Sequence, residues 1–334
     1  MRCLSHNAAS PDELDLLVGL VNGRISLFSL AALVAPGSPP FATPRESHDA
    51  AASGGACLSV SWVPGTAGSS FVSAHADGSV VVHHRLPGNS LDAGLLRRSN
   101  SQLCASLRLA PERPGANEAA HTRLAAPSPR GSYVAVAGRD GACTIQHWTS
   151  RRRIGAFRVW TWYGGVTCLA WSGDERLVAA GGEDDLVHVY SVPDDSLVAV
   201  CRGHASWVAA VAFDPRPGPG APEEEGGEGQ AEYRLASVGD DGRFCVWHLR
   251  CSPSQKPRSE AGHIAWAPQR QRRRSELPYA EPSIRTRVSV EPLSDIQLDS
   301  EGVVLITNRG GMLSYRRKMA VGPAEPPCQE EDVR

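Results

Sequence analysis

The sequence has no long apolar run and no cysteine pair at the spacing of a metal or redox motif. Its longest apolar run near the N-terminus, Leu16 to Val21, is too short for a signal peptide or a membrane segment, and acidic residues precede it. The nine cysteines include no C-x-x-C pair, and most lie singly in or beside predicted strands, as buried thiols do. We therefore expect a protein of a reducing compartment, cytoplasmic or nuclear, with no membrane segment.

Neither sign of charge predominates. The 34 basic and 36 acidic residues give no global electrostatic reason to expect nucleic-acid binding. Two short basic runs, 151–153 and 270–274, lack the interleaved aromatic residues on which bases stack. Such runs are typical of solvated loops or of a nuclear-import signal. We expect no nucleic-acid partner.

Alternating apolar residues characterise the stretch from Val159 to Pro215. Runs of five to seven residues with period two, bounded by Gly, Asp, Pro and Ser, are typical of half-buried antiparallel strands. A Gly203-His204 pair then opens a further run of the same kind. Four strands followed by a Gly-His step predict one blade of a propeller. The four strands are predicted at Thr167–Trp171, Leu177–Ala180, Val187–Tyr190 and Leu197–Val200.

The same unit recurs along the chain, as a repeat that cannot bury its own faces must. Only the 44 residues between Gly141 and Asp185 match the length of a WD repeat, so the other repeats carry insertions. We predict an all-β WD-repeat β-propeller over residues 1–317, with six visible blades and seven when complete, the last hidden in 87–121 or lying further upstream. The insertions are expected to be surface loops at 35–55, 87–121, 215–230 and 251–284, followed by a disordered tail at 318–334. The residue after the turn between the second and third strands falls at Gly23, Gly78, Gly141, Asp185, Gly242 and Gly310.

A buried polar chain is predicted in the fifth blade. A His of the Gly-His step, a Ser on the second strand, an Asp in the following turn and a Trp on the third strand can hydrogen-bond inside a WD blade. The second blade keeps Ser73 and Asp77 but places His83 at the Trp position, and the fourth keeps Asp184 with Tyr190. The predicted structural tetrad of the fifth blade is His204, Ser237, Asp241 and Trp247.

Several segments resemble one particular group of WD proteins. They read WYGGVTCLAW (162–171), GGEDDLVHVYS (181–191), RGHASWVAAVAFDP (202–215), LLVGLVNGRISL (16–27), WVPG (62–65) and EPLSDIQLDSEGVVLITNRGGMLSYRR (291–317). Together they are similar to the catabolite-repression creC and dystrophia-myotonica WD-protein family. The resemblance implies a regulatory subunit without catalysis, which binds and activates a ubiquitin-specific protease, commonly beside a second WD protein.

Propeller geometry indicates where such a partner would bind. The loop before a blade's first strand and the turn between its second and third strands open on the same face. Aromatic side chains on rigid loops suit a binding hot spot, because they bury a large area at small entropic cost. An alternative is that these aromatics seal neighbouring blades and that the acidic turn is only a solvated rim. The candidate partner-binding residues are Trp162, Tyr163, Glu183, Ser206 and Trp207.

Two other functional classes remain to be compared. Catalysis is not expected, because the carboxylates from Glu183 to Asp185 occupy adjacent positions whose side chains diverge. The histidines lack metal-ligand spacing, so we expect no metal and no cofactor. The stronger alternative is a substrate receptor of a cullin-type ubiquitin ligase, because Trp247 to Arg250 resembles a W-D-x-R box, with His248 where an acid is usual. An ordinary WD repeat that ends in Arg explains the same residues.

Overall fold

The fold consists of β-strands. The computed structural model describes residues 3–6, 15–29, 44, 46–48, 55–84, 106–108, 122–148, 153–158, 165–215, 231–251, 279–298 and 302–316, and no helix occurs among them. Their strands form six sheets, which we call blades 1 to 6. In each blade, the first three strands pair antiparallel in the order of the chain.

The first three blades have four strands each. Blade 1 comprises β1 (Cys3–His6), β2 (Asp15–Gly19), β3 (Ile25–Ser29) and β4 (Glu46–His48). Blade 2 comprises β5 (Cys57–Trp62), β6 (Ser70–His75), β7 (Ser79–His84) and β8 (Ser106–Arg108). Blade 3 comprises β9 (Thr122–Pro127), β10 (Tyr133–Gly138), β11 (Ala142–His147) and β12 (Arg153–Arg158).

The last three blades differ in their outer strands. Blade 4 comprises β13 (Val166–Trp171), β14 (Leu177–Gly182), β15 (Val187–Ser191) and β16 (Ser196–Cys201), with β20 (Tyr279–Ala280) added in parallel outside β16. Blade 5 comprises β17 (Val208–Phe213), β18 (Ala231–Gly239), β19 (Arg243–Cys251) and β21 (Ile284–Arg287). Blade 6 has β22 (Leu293–Leu298), β23 (Gly302–Thr307) and β24 (Met312–Arg316).

The inner turn has the same backbone conformation in every blade. Its last residue lies in the left-handed region in all six, with φ between 65° and 84°. Five of these residues are glycine, which adopts that region without steric cost, and the sixth is Asp185, a residue type that tolerates it. The repeated turn predicted from the sequence is thus present in each blade.

Apolar side chains from both blades pack together at the junction between neighbouring blades. Strand β14 shows why: Leu177 and Ala179 pack towards blade 5, whereas Val178 and Ala180 pack towards blade 3. A strand buried on both faces needs an unbroken apolar sequence, and all six residues of β14 are buried. One such cluster lies at each of the five junctions between consecutive blades.

The described sheets do not close into a ring. No comparable cluster joins blade 6 to blade 1 within the described ranges, so the prediction of a seventh blade stays a prediction. Three of the predicted loop insertions differ from expectation, because 35–55 contains β4, 87–121 contains β8, and 251–284 contains β20. These three strands have only two or three described residues each, too few to show apolar alternation in the sequence. Most of 215–230 and all of 318–334 fall outside the described residues.

Candidate protein-interaction face

One loop and two turns form what we call the loop face. The loop Gly203–Trp207 precedes the first strand of blade 5, the turn Asp240–Gly242 follows its second strand, and the turn Glu183–Asp185 is the equivalent in blade 4. Asp241 accepts a hydrogen bond from the backbone N–H of Ala205 at 2.8 Å, which holds the loop against the turn. The loop and the turn of blade 5 therefore lie side by side, as propeller geometry requires.

A chain of hydrogen bonds runs beneath this loop. The Nδ1 of His204 lies 3.0 Å from Asp241, and its Nε2 lies 2.7 Å from the hydroxyl of Ser237. An ionised carboxylate only accepts hydrogen bonds, so Nδ1 carries the proton and Nε2 accepts one from Ser237. Trp247 does not join through Ser237: its indole N–H donates to the carbonyl of Arg202 at 3.2 Å. Three of the four tetrad residues form one chain, while Trp247 fixes the base of the same loop.

The ionisation of this chain follows from its surroundings. Burial lowers the pKa of His204, and this outweighs the opposing hydrogen bond to Asp241, so the ring is neutral at pH 7. Burial would raise the pKa of Asp241, but hydrogen bonds from Ala205 and His204 outweigh burial and hold the pKa below its usual value. The loop is therefore tied to an ionised carboxylate.

Trp207 presents its side chain to solvent from a fixed backbone. The residue is 49% exposed, whereas its carbonyl accepts a hydrogen bond from the backbone N–H of Asp240 at 2.9 Å. A Cβ on Gly239 would lie 2.7 Å from that carbonyl oxygen, so glycine is required for the close approach. Ser206 is half-buried in the same loop. An exposed aromatic on a rigid loop is what a protein-binding hot spot needs.

Glu183 is held by its own protein. Its carboxylate lies 2.8 Å from the guanidinium of Arg123 in blade 3 and 3.3 Å from the backbone N–H of Gly165. Gly165 is wedged against blade 3, because a Cβ there would lie 2.3 Å from the Cα of Arg139. Glu183 thus holds Gly165, which follows Trp162 and Tyr163 in the chain. Those two residues lie outside the described residues.

The remaining acidic groups divide into paired and unpaired ones. Asp184 lies 2.9 Å from the ring of His188 and accepts from the N–H of Leu186, so it is structural. Burial raises the pKa of Asp185, and the charges of Asp184 and Asp241 raise it further. The pKa of Asp240 is raised by burial and by Asp241. The two loop-face turns thus bring Asp185 and Asp240 close enough to Asp241 for its charge to act on both.

Two other blades replace the predicted tetrad with different partners. In blade 2, the hydroxyl of Ser73 lies 2.9 Å from both His75 and His83, while Asp77 bonds Ser79 within its own turn. In blade 4, Tyr190 hydrogen-bonds Asp195 rather than Asp184. The sequence pattern identified Ser73 and His83 but missed His75, which hydrogen-bonds Ser73, and His188, which hydrogen-bonds Asp184. Neither histidine stands at a position where the tetrad pattern expects a hydrogen-bonding side chain.

The buried cysteines and the possible metal ligands of the described residues bear on the question of catalysis. Burial raises the pKa of the Cys168, Cys201 and Cys245 thiols to about 12, so they stay protonated at neutral pH. Among the described residues, no group of three or more His, Cys, Asp and Glu could hold a metal ion. The described part of the chain also has no helix long and apolar enough to cross a membrane.

The residues that resemble a ligase-adaptor box lie on the third strand of blade 5. Arg250 is exposed, and its Nε lies 3.5 Å from Glu232. His248 lies 3.9 Å from the same carboxylate. Both side chains thus share one acid, at the end of the strand remote from the loop face.

Comparison with known proteins places these features in context. Residues 157–191, which include the first three strands of blade 4, match the family WD40: WD domain, G-beta repeat. Over 137 residues the chain is 33% identical to the UBP9-binding protein bun62 of Schizosaccharomyces pombe, a match that covers 41% of this chain and 23% of that relative. The chain thus matches less than a quarter of the relative's length. With six antiparallel sheets and a matched repeat, the chain has the fold of a WD-repeat β-propeller.

Proposed function

We propose that this chain is a non-catalytic scaffold of the creC and dystrophia-myotonica type, which binds a ubiquitin-specific protease and stimulates it. The observation that carries the proposal is its similarity to a protein named for binding UBP9, a ubiquitin-specific protease. The matched WD repeat supports a role in binding.

The loop face is the proposed binding surface. Trp207 offers a half-exposed indole whose backbone is fixed by Asp240 and Gly239, so little entropy is lost when a partner covers it. Trp162, Tyr163, Glu183 and Ser206 complete the proposed surface. We assign Glu183 a supporting role there, because its carboxylate already binds Arg123 and Gly165.

The test is a binding and activation assay with purified ubiquitin-specific proteases. Each protease is titrated with the full chain, and both Kd and the rate of cleavage of a fluorogenic ubiquitin substrate are measured. Trp207→Ala should weaken binding by about 2 kcal/mol or more, as loss of a central aromatic anchor does. Tyr163→Ala should act in the same direction but more mildly.

Tyr315→Ala is a matched control. Tyr315 is 47% exposed, close to the 49% of Trp207, but it lies on blade 6. It should leave activation unchanged. Melting curves of all variants exclude unfolding. If the double variant Tyr163→Ala/Trp207→Ala activates the protease at wild-type concentrations, the proposed interface is wrong.

Two further parts of the proposal have their own readouts. A second WD protein should add to the activation when titrated into the same assay. The alternative, a substrate receptor of a cullin-type ligase, predicts capture of a ligase adaptor that Arg250→Ala abolishes. We also propose a cytoplasmic or nuclear location, which imaging of the tagged full chain tests directly.

A further inference from the structure

Four arginines gather where the outer strands of blades 4 and 5 meet. The register of blade 5 pairs Arg243 with Arg287 and Cys245 with Arg285. Side chains opposite each other, or two residues apart on one strand, project from the same face of a sheet. Arg243, Arg285 and Arg287 therefore share the face on which Cys245 packs towards blade 4.

The fourth arginine comes from blade 4. Arg202 lies over the ring of Tyr279, 3.6 Å from its centroid, and its neighbour Gly203 accepts a hydrogen bond from the guanidinium of Arg243. The two blades thus contribute to one basic cluster. We call Arg202, Arg243, Arg285 and Arg287 the arginine cluster.

The charges of this cluster are poorly neutralised. Arg243 has a carboxylate within reach, that of Asp241 at 3.8 Å. Within the described ranges, no carboxylate lies within ion-pair distance of Arg202, Arg285 or Arg287. Like charges directly opposite on neighbouring strands destabilise a sheet, and Arg243 faces Arg287 in this way. The contacts that these arginines do make are mostly with neutral groups: Arg202 lies over Tyr279, and the Nε of Arg287 donates to the carbonyl of Ser289 at 3.2 Å. Little opposing charge is present, so the cluster can bind an acidic partner.

The strand that carries two of these arginines is open to solvent. All four residues of β21 are exposed, and β21 is the last strand of its sheet among the described residues. Its outer N–H and C=O groups can pair with an added strand. Arg285 and Arg287 lie about 7 Å apart along the strand, the spacing of alternate residues in an extended peptide.

We propose that β21 is a docking edge for an extended acidic segment of a partner protein. The segment adds to the free edge as a further strand, and carboxylates at alternate positions bind Arg285 and Arg287. Arginine suits this role, because its planar fork can bind a carboxylate with two hydrogen bonds. The proposal does not rest on the protease-binding function, because Arg285 and Arg287 are not among the residues assigned to the loop face. The two sites are adjacent, since Val288 and Ser289 hydrogen-bond to Gly242 of that face.

The test uses fluorescein-labelled ten-residue peptides and the full chain. One peptide has Glu at alternate positions, a second has Lys at those positions, and a third keeps the Glu residues but has proline between them. Fluorescence anisotropy measures Kd at low and high salt. The wild type should bind the first peptide, with affinity falling as salt rises, and should bind neither of the others comparably.

Two variants locate the site. Arg285→Gln/Arg287→Gln should weaken binding roughly tenfold, since it removes two exposed ion pairs that each contribute about threefold. Arg309→Gln is the control, because Arg309 is also exposed to solvent but lies on blade 6 and pairs with Glu291 at 3.4 Å. It should change Kd by less than about twofold. Arg285→Lys/Arg287→Lys keeps both charges but loses the planar fork, so its affinity should lie between those of the wild type and the Gln variant.

Several results would overturn the proposal. They are absence of binding to the first peptide, equal loss in Arg309→Gln, or undiminished binding of the proline peptide. Tighter binding of a single-stranded RNA of equal charge would also overturn it, because the cluster would then recognise phosphates. If Arg285→Gln/Arg287→Gln only promotes self-association and leaves peptide affinity intact, the arginines protect the edge and bind nothing.

Discussion

Arg123 and Glu183 form an ion pair across the junction of blades 3 and 4, with 2.8 Å between Nη1 and Oε1. They lie 60 positions apart in the sequence, on the first strand of one blade and the inner turn of the next. Because Glu183 also accepts from Gly165, the pair connects the blade junction to the end of the segment with Trp162 and Tyr163. A residue predicted to contact a partner thus also has a role inside the fold.

The first prediction concerns this pair. Arg123→Ala, Glu183→Ala and the double variant should give a coupling energy of about 0.5–1 kcal/mol in urea unfolding. The value is small because the side chains are 34% and 17% exposed and solvent screens their charges. A coupling energy of zero would mean that the pair contributes nothing to stability. In that case Glu183 would be free to act mainly in partner binding.

The second prediction concerns Asp241. Asp241→Ala should lower the free energy of unfolding by about 1–3 kcal/mol, because His204 and the N–H of Ala205 would lose their acceptor. Asp240→Ala, which removes the neighbouring and more exposed carboxylate, is the control and should change stability by less than about 0.5 kcal/mol. Loss of partner binding with unchanged melting of Asp241→Ala would instead assign Asp241 to the binding surface.

The sequence contained enough information for the inner strands and the turns. Strand β14 is apolar because neighbouring blades pack on both of its faces. The turn residue with positive φ is glycine in five blades and Asp185 in the sixth, which makes the turns recognisable in the sequence. The outer strands β4, β8, β20 and β21 could not be found in this way. They are short, and β21 is exposed along its whole length, so neither length nor alternation distinguishes them from loops.

The site was predictable only in part, for a similar reason. His204, Ser237 and Asp241 belong to one repeat, so their spacing follows from the blade pattern. Arg123 is a charged residue on a strand of another blade, and no local sequence pattern connects it with Glu183. Contacts between blades depend on how the sheets pack, which a period-two pattern does not specify.

The third prediction concerns pH and blade 2. Burial, followed by the nearby His48, His75 and His84, lowers the pKa of His83 to about 3. Below the usual value of 6.5 the unfolded chain therefore binds a proton that the folded chain does not. Stability should be constant above pH 6.5 and should fall below it, by up to about 1.4 kcal/mol per pH unit for this one group.

Urea unfolding between pH 5 and 7.5 tests this directly, and that range avoids the titration of most carboxylates. His75 and His204 also have lowered pKa values and add to the slope. His83→Gln keeps a polar partner for Ser73 but cannot take up a proton. It should reduce the slope relative to the wild type. An unchanged slope would show that His83 does not carry the pH dependence.

The last prediction tests whether binding needs only the indole of Trp207 or also the fixed backbone that positions it. Gly239→Ala leaves the indole in place but puts a methyl group about 2.7 Å from the carbonyl oxygen of Trp207 and 2.9 Å from Nδ1 of His204. The loop must move to relieve these contacts, so protease binding should weaken although every side chain of the loop is retained. Gly173→Ala is the control, because a Cβ there meets nothing within 4 Å. Binding should be measured at a temperature at which both variants remain folded. If Gly239→Ala binds like the wild type while Trp207→Ala does not, the indole needs no fixed backbone, and rigidity of the loop is not what makes Trp207 an anchor.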